Sequence, residues 1–446
     1  MTEKDLLKGL GHIDGAYIEE TRYEEKNKKS RIHWIRWGSI AAAVCLLFTF
    51  LLPLWNPPLT VQAEDLMEGI SPQPVESVDL TPGRDSVLDF SARLMKYANQ
   101  KGKNSLISPI SALYALSMTA NGAKGETLAE MEAVMGLPIE DLNRWLYSYG
   151  ISLDTKVLNL ANSIWISNRA DFTVNPQFLQ INANYYGADI YRAPFDNTTV
   201  RDVNRWVDHK TKGMIPEIVS KLDGSLMALI NALCFEAAWE DEYDDADIRP
   251  DTFTLEDGTE KTVDYLHSVE DRFVQDDDAK GFVKYYKGGR YAFLAMLPNE
   301  GITVEQYLDS LSGESIQHIL DGTEQVSVRV SIPKFETEFS VELTKVLKEM
   351  GMNAAFDGNL ADFSGMGTVS DGNLVIDQVL QKTYICVDEE GTKAAAATVV
   401  IIAPTSAPIT RVEQVDLDRP FVYLLMDMEN GIPLFIGTMM NPTESK

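Results

Sequence analysis

The segment that most constrains this chain lies near its C-terminus. Residues 392–403, TKAAAATVVIIA, carry one charge, Lys393, and contain neither Gly nor Pro. A stretch meant to remain a solvated connection uses polar residues, Gly and Pro. Here the side chains begin small and become β-branched, which suits a pleated, half-buried surface. At period two, Thr392, Ala394, Ala396, Thr398, Val400 and Ile402 share one face, and none is too large to slide between two existing strands. Pro404 is the first residue unable to donate to a ladder. Composition alone leaves an ordinary strand or an Ala-rich helix open.

Charge sets the next limits. The 446 residues hold 39 Lys+Arg and 67 Asp+Glu, a formal charge of −28, so capture of nucleic acid by the bulk of the protein is disfavoured. The distribution is uneven. Residues 1–37 hold eight basic and seven acidic residues, and residues 37–63 hold no charge at all. Within that stretch 38–55, GSIAAAVCLLFTFLLPLW, would span roughly 27 Å as a helix, about a bilayer core. Five Lys/Arg directly precede it. The expected organisation is a cytoplasmic leader at 1–37, a signal-anchor transmembrane helix at 38–55, a Pro-containing stalk at 56–85 and one folded domain at 86–446. The expected location is the cell membrane, single-pass with the domain outside. A small-residue cleavage site ending at Ala63 is the secreted alternative.

In the domain, Val87, Phe90, Leu94 and Tyr97 keep helical spacing, and 111–121 and 126–136 read as further helices. The runs 157–167, 226–239, 291–297, 326–332 and 374–387 read as strands, several of them apolar on both faces and hence central. Helices are expected at 203–212 and 341–350, and a closing hairpin at 422–428 and 434–440. The class is α+β with large, mainly antiparallel sheets.

No nucleophile elbow, zinc-protease helix, phosphate loop or dinucleotide fingerprint occurs. The five histidines are scattered, and the three cysteines, Cys45, Cys234 and Cys386, are too few for a disulfide framework or a zinc site. The acidic runs at 240–247 and 276–278 read as solvated faces. A hydrolase is opposed by the missing nucleophile constellation. No enzyme, metal or cofactor is expected.

The context of residues 392–403 then decides between the alternatives. Glu389, Glu390, Gly391, Thr392, Lys393, Ala394, Ala395, Ala396, Ala397 and Thr398 resemble the hinge of inhibitory serpins. Asn104, Ser108, Pro109 and Ser111 resemble that family's shutter, and Asn162, Asn231, Phe235 and Trp239 its central strands and breach tryptophan. Pro333-Lys334-Phe335, Gly351, Phe356, Asp362-Phe363-Ser364-Gly365, Arg419-Pro420-Phe421, Pro433-Leu434-Phe435, Gly437 and Asn441-Pro442 continue the resemblance in order. Where serpins commonly place a shutter histidine, this chain has Gln381, which can still donate and accept but does not titrate.

The resemblance implies a serpin fold: three β-sheets, about eight or nine helices and an exposed reactive-centre loop. It implies an irreversible suicide-substrate inhibitor of serine or cysteine proteases, which traps the acyl-enzyme when the 391–403 hinge enters the central sheet. Counting the family's loop from Glu389 puts the reactive bond at Thr405–Ser406. A Thr there favours elastase-like or subtilisin-like proteases of small or aliphatic specificity. Arg411–Val412 is the one trypsin-like option. The protein is expected to act as a monomer, and the alternative is a non-inhibitory serpin serving as carrier or chaperone.

Overall fold

Strands whose side chains are apolar on both faces need cover on both sides, and they form the middle of the sheets. In the computed structural model residues 61–168, 172–222, 225–369, 372–392 and 411–444 are described; all belong to the compact unit Thr60–Lys446. The largest sheet runs β1 (Glu64–Asp65), β5 (Asp189–Ala193), β3 (Leu158–Ser167), β6 (Met227–Phe235), β16 (Gln378–Val387), then β17 (Gly391–Thr392) and β7 (Ala237–Ala238). Strand β14 (Phe335–Glu342) pairs with the other side of β16. Every residue of β6, MALINALCF, is buried. On β16 burial alternates, the mark of one covered face.

The second sheet runs β10 (Phe273–Gln275), β11 (Ala279–Tyr285), β12 (Tyr291–Pro298), β19 (Phe421–Asp427), β20 (Ile432–Met439) and β2 (Ser105–Ile107), antiparallel throughout. Strands β12, β19 and β20 are buried along their whole length. The third is β18 (Val412–Asp416), β13 (Ser327–Pro333), β9 (Glu260–Glu270) and β8 (Ile248–Thr254), with β18 parallel to β13. A two-stranded ladder joins β15 (Gly367–Thr368) to β4 (Thr173–Val174).

Among the described residues there are nine α-helices: α1 (Thr81–Ala98), α2 (Pro109–Ala120), α3 (Gly125–Met135), α4 (Ile139–Ser152), α5 (Pro176–Tyr186), α6 (Asn197–Lys210), α7 (Val304–Ser310), α8 (Gly313–Asp321) and α9 (Thr344–Glu349). This is the expected α+β architecture of three main sheets with eight or nine helices. Helix α2, PISALYALSMTA, is buried at every position and packs on β3, β6 and β20. It starts at Ser108, whose Oγ accepts from Ser111 N, with Pro109 in the first turn where no N–H is needed. The helix expected at 341–350 is shorter: Val341 and Glu342 finish β14, and helical structure begins at Thr344.

Residues 61–80 lie along the domain. The β1 pair with β5 adds an edge strand, Gln62 and Ala63 donate backbone N–H groups to the buried Asp202 carboxylate, and Leu66, Met67 and Ile70 pack on the core.

The membrane location requires correction. Among the described residues no helix is long and apolar enough to cross a membrane. The longest, α1, has 18 residues but carries Arg84, Asp85, Asp89, Arg93 and Lys96, and fully buried α2 has only 12, roughly 18 Å against a core of about 30 Å. The leader at 1–37 and the span expected at 38–55 lie outside the described residues. Single-pass localisation at the cell membrane is therefore withdrawn.

Candidate hinge and shutter

Strands β6 and β16 pair in parallel from Ala228↔Gln378 to Leu233↔Thr383. Beyond Leu233 they part, β16 runs on to Val387, and β17 occupies the opening between β16 and β7, with Val387↔Thr392 on one side and Ala238↔Gly391 and Ala237↔Thr392 on the other. The chain reverses through residues 388–390. Asp388 Oδ1 accepts from the backbone N–H of Glu390 and of Gly391, and Asp388 N–H donates to Gly391 O. Such an Asp-centred turn uses the short carboxylate as a backbone mimic. Gly391 sits at φ +152°, and an added Cβ would lie 2.2 Å from Ala237 O, so no other residue fits there.

The turn is fastened on every side. Trp239, fully buried, donates its indole N–H to Asp388 O at 2.8 Å and its backbone N–H to Glu390 O at 3.0 Å. Tyr243 N–H donates to Glu389 O. Lys334 lies 2.5 Å from the Glu389 carboxylate and, as its hydrogen-bond donor, holds the Glu389 pKa below the usual value. Thr392 is 1% exposed. Of the expected hinge, Glu389, Glu390, Gly391 and Thr392 are thus placed together. Lys393, Ala394, Ala395, Ala396, Ala397, Thr398 and the reactive pair Thr405 and Ser406 lie outside the described residues.

The chain re-enters at Arg411, whose guanidinium meets Glu324 at 2.7 Å and Glu413 at 2.5 Å and lies over the Phe273 ring. Val412 opposite Ser327 already belongs to β18. The Arg411 side chain is still 48% exposed, and ion pairs this open to water are weak, so they do not remove Arg411–Val412 as a reactive bond.

Lower in the same sheet, the shutter residues meet. Gln381, 1% exposed, accepts from Ser108 N–H at 3.0 Å and donates to Ser108 O and to Asn231 Oδ1, each at 2.9 Å. Asn231 in turn donates to Ser111 O and to Asn162 Oδ1. The network links the start of α2 to β3, β6 and β16 across the line where the sheet would part. None of its members titrates in the histidine range, so it confers no pH dependence there.

Neither Cys234 on β6 nor Cys386 on β16 is in a disulfide. Burial, with Asp388 and Glu336 nearby, pushes the Cys386 thiol up to about 11. Mass analysis of the native protein is expected to find both as thiols. Iodoacetamide should label Cys386 slowly at pH 8 and faster as the pH approaches 11, because the thiolate is the nucleophile; rapid labelling at pH 8 would contradict this environment.

Sequence reasoning passed over Asp388, Tyr243 and Tyr286. Asp388 had a readable signal, an Asp three residues before a Gly. The two tyrosines had none, since only the tertiary fold brings them to the turn.

Comparison with known proteins accords with this arrangement. The family model of the serpins, serine protease inhibitors, matches residues 85–442. This chain is a serpin. Serpins are generally protease inhibitors rather than enzymes. An uncharacterised serpin-like protein of Thermococcus kodakarensis is 34% identical over 378 residues, covering 81% of this chain and 86% of the relative. The mouse leukocyte elastase inhibitor A is 28% identical, covering 79% of this chain and 97% of the relative. Among solved structures, the thermophilic serpin tengpin in its native state superposes with a TM-score of 0.82 at 42% identity, covering 85% of this chain and all of the other. Tengpin in its latent state gives 0.71 at 38% identity, covering 83% of this chain and 99% of the other.

Proposed function

We propose that this serpin is an irreversible suicide-substrate inhibitor of serine proteases, with cysteine proteases as a second class, and that Thr405–Ser406 is its reactive bond. The protease attacks the Thr405 carbonyl and the acyl-enzyme forms. The freed hinge then zips between β6 and β16, carrying the protease away before water can deacylate it. The observation that carries this reading is the seating of β17. Thr392 already pairs antiparallel with Val387 of β16 and Gly391 with Ala238 of β7, while below them β6 and β16 still pair with each other. A strand continuing from Thr392 would replace the β6–β16 contact by two ladders and bury Val400 and Ile402. Such a gain in hydrogen bonding and apolar burial makes the unfilled sheet a kinetic trap. The small side chains of 394–397 offer no steric obstacle to that passage, and a Thr at the reactive bond suits elastase-like or subtilisin-like partners.

The test mixes the full chain with an elastase-type and with a subtilisin-type protease and runs a denaturing gel. An SDS-stable adduct is expected, with release of a C-terminal fragment whose first residue is Ser406. Cleavage in the loop without adduct would favour a non-inhibitory serpin, and a fragment beginning elsewhere would move the reactive bond.

A further inference from the structure

The hinge turn is held by backbone hydrogen bonds together with the side chains of Asp388, Trp239 and Lys334, and its last described residue adds a side-chain contact of its own. The Thr392 hydroxyl lies 2.6 Å from the Tyr286 hydroxyl, and both residues are closed off from solvent. Tyr286 itself has little freedom. Its ring stacks on Trp239 at 4.4 Å with 10° between planes and meets Phe235 edge-on at 4.9 Å, while Tyr286 N–H donates to Tyr291 O. Tyr286 and Trp239 also form a backbone bridge. Burial pushes the phenol up, so it stays protonated and able to donate.

We propose that Tyr286 is the positioning residue that keeps the hinge at its first inserted register, by supplying the buried partner for the Thr392 hydroxyl. The inference rests on the reading that the loop inserts after cleavage. With the hinge seated, both hydroxyls are satisfied. With it withdrawn, Thr392 reaches water but the Tyr286 hydroxyl stays in the aromatic cluster without its partner, so the pair discriminates between the two hinge positions. The same contact selects the residue type at 392: a hydroxyl on a side chain small enough to fit between β16 and β7. Seating the first residues before any protease arrives removes the nucleation step from the race against deacylation, because strand pairing then proceeds from a ladder already started.

Tyr286→Phe keeps the stacking and removes only the hydroxyl, and Thr392→Val keeps the shape and removes its partner. Each is expected to raise the number of inhibitor molecules consumed per protease by about 3- to 10-fold, the range of one net hydrogen bond. The rate of first attack on the loop should stay the same or rise. The double variant should be no worse than the worse single one, and Thr392→Ser should stay near the unsubstituted protein. Amide hydrogen exchange in the peptide covering residues 388–392 should speed up in both single variants. Additive effects in the double variant, or unchanged exchange in Tyr286→Phe, would overturn the assignment. The exchange arm needs no protease. If the unsubstituted chain formed no adduct, the proposed function would fail while the exchange result still decided the hinge contact.

Discussion

Thr392→Arg is expected to turn the inhibitor into a substrate. Thr392 is 1% exposed between β16 and β7, facing the Tyr286 hydroxyl. An Arg there must either bury a guanidinium beside Tyr286 and Trp239, with no carboxylate hydrogen-bonded at that point, or hold the hinge out of the sheet. Burying an unpaired cation costs several kcal/mol, so the hinge stays out. Little is lost at rest, since only two residues leave the sheet. The loss falls on the race after cleavage. If the insertion barrier rises by about 3 kcal/mol, insertion slows roughly 100-fold, and deacylation overtakes it. The expected outcome on a denaturing gel is loss of the SDS-stable adduct and its replacement by loop-cleaved protein. The stoichiometry of inhibition should rise from about one to tens or more, while first attack stays within a fewfold because the reactive bond is unchanged. Undiminished adduct formation by this variant would refute insertion as the trapping step.

What could be read in the sequence follows from which features are local. The central strands β6, β12, β19 and β20 were legible because burial on both faces demands an uninterrupted apolar run, visible without knowing the neighbours. The hairpin of β8 and β9 was not. Its strands, IRPDTFT and EKTVDYLHSVE, are largely exposed and rich in charge, so alternation is faint and they resemble loop. Helices α7 and α8 are short and gave no long periodic pattern; their signal was at the N-terminus, where Thr303 with Gln306 and Ser312 with Ser315 form capping boxes. The hinge and shutter residues were reached through the family pattern. The residues that fasten the hinge, Tyr243 and Tyr286, come from remote parts of the chain and are single residues in ordinary surroundings, so only the fold could assemble them.

The shutter gives the second large effect, on stability rather than on trapping. Gln381 satisfies three buried groups at once: Ser108 N–H, Ser108 O and Asn231 Oδ1. Gln381→Leu preserves most of the volume and leaves all three without that partner. Ser108 O keeps the Ala112 N–H, so Ser108 N–H and Asn231 Oδ1 are the two groups left unsatisfied; at about 1–3 kcal/mol each, with neighbours relaxing, a total of roughly 2–4 kcal/mol is expected. With an unfolding entropy of about 2.1 cal/mol/K per residue over a domain of this size, the apparent melting temperature should fall on the order of 5 °C. The site of the damage adds a second consequence. Gln381 lies opposite Asn231 in the β6–β16 pair, and its contacts to Ser108 tie that pair to the start of α2. Weakening it lowers the cost of parting β6 from β16 without cleavage of the loop. Incubation near 37 °C should therefore deplete inhibitory capacity several-fold faster than in the unsubstituted protein, read as adduct formed per molecule over time. The excess loss should be the same at pH 6 and pH 8, because no proton is bound or released in the network. Unchanged melting together with unchanged persistence would mean that backbone pairing of β6 with β16, rather than the side-chain network beneath it, keeps the sheet closed.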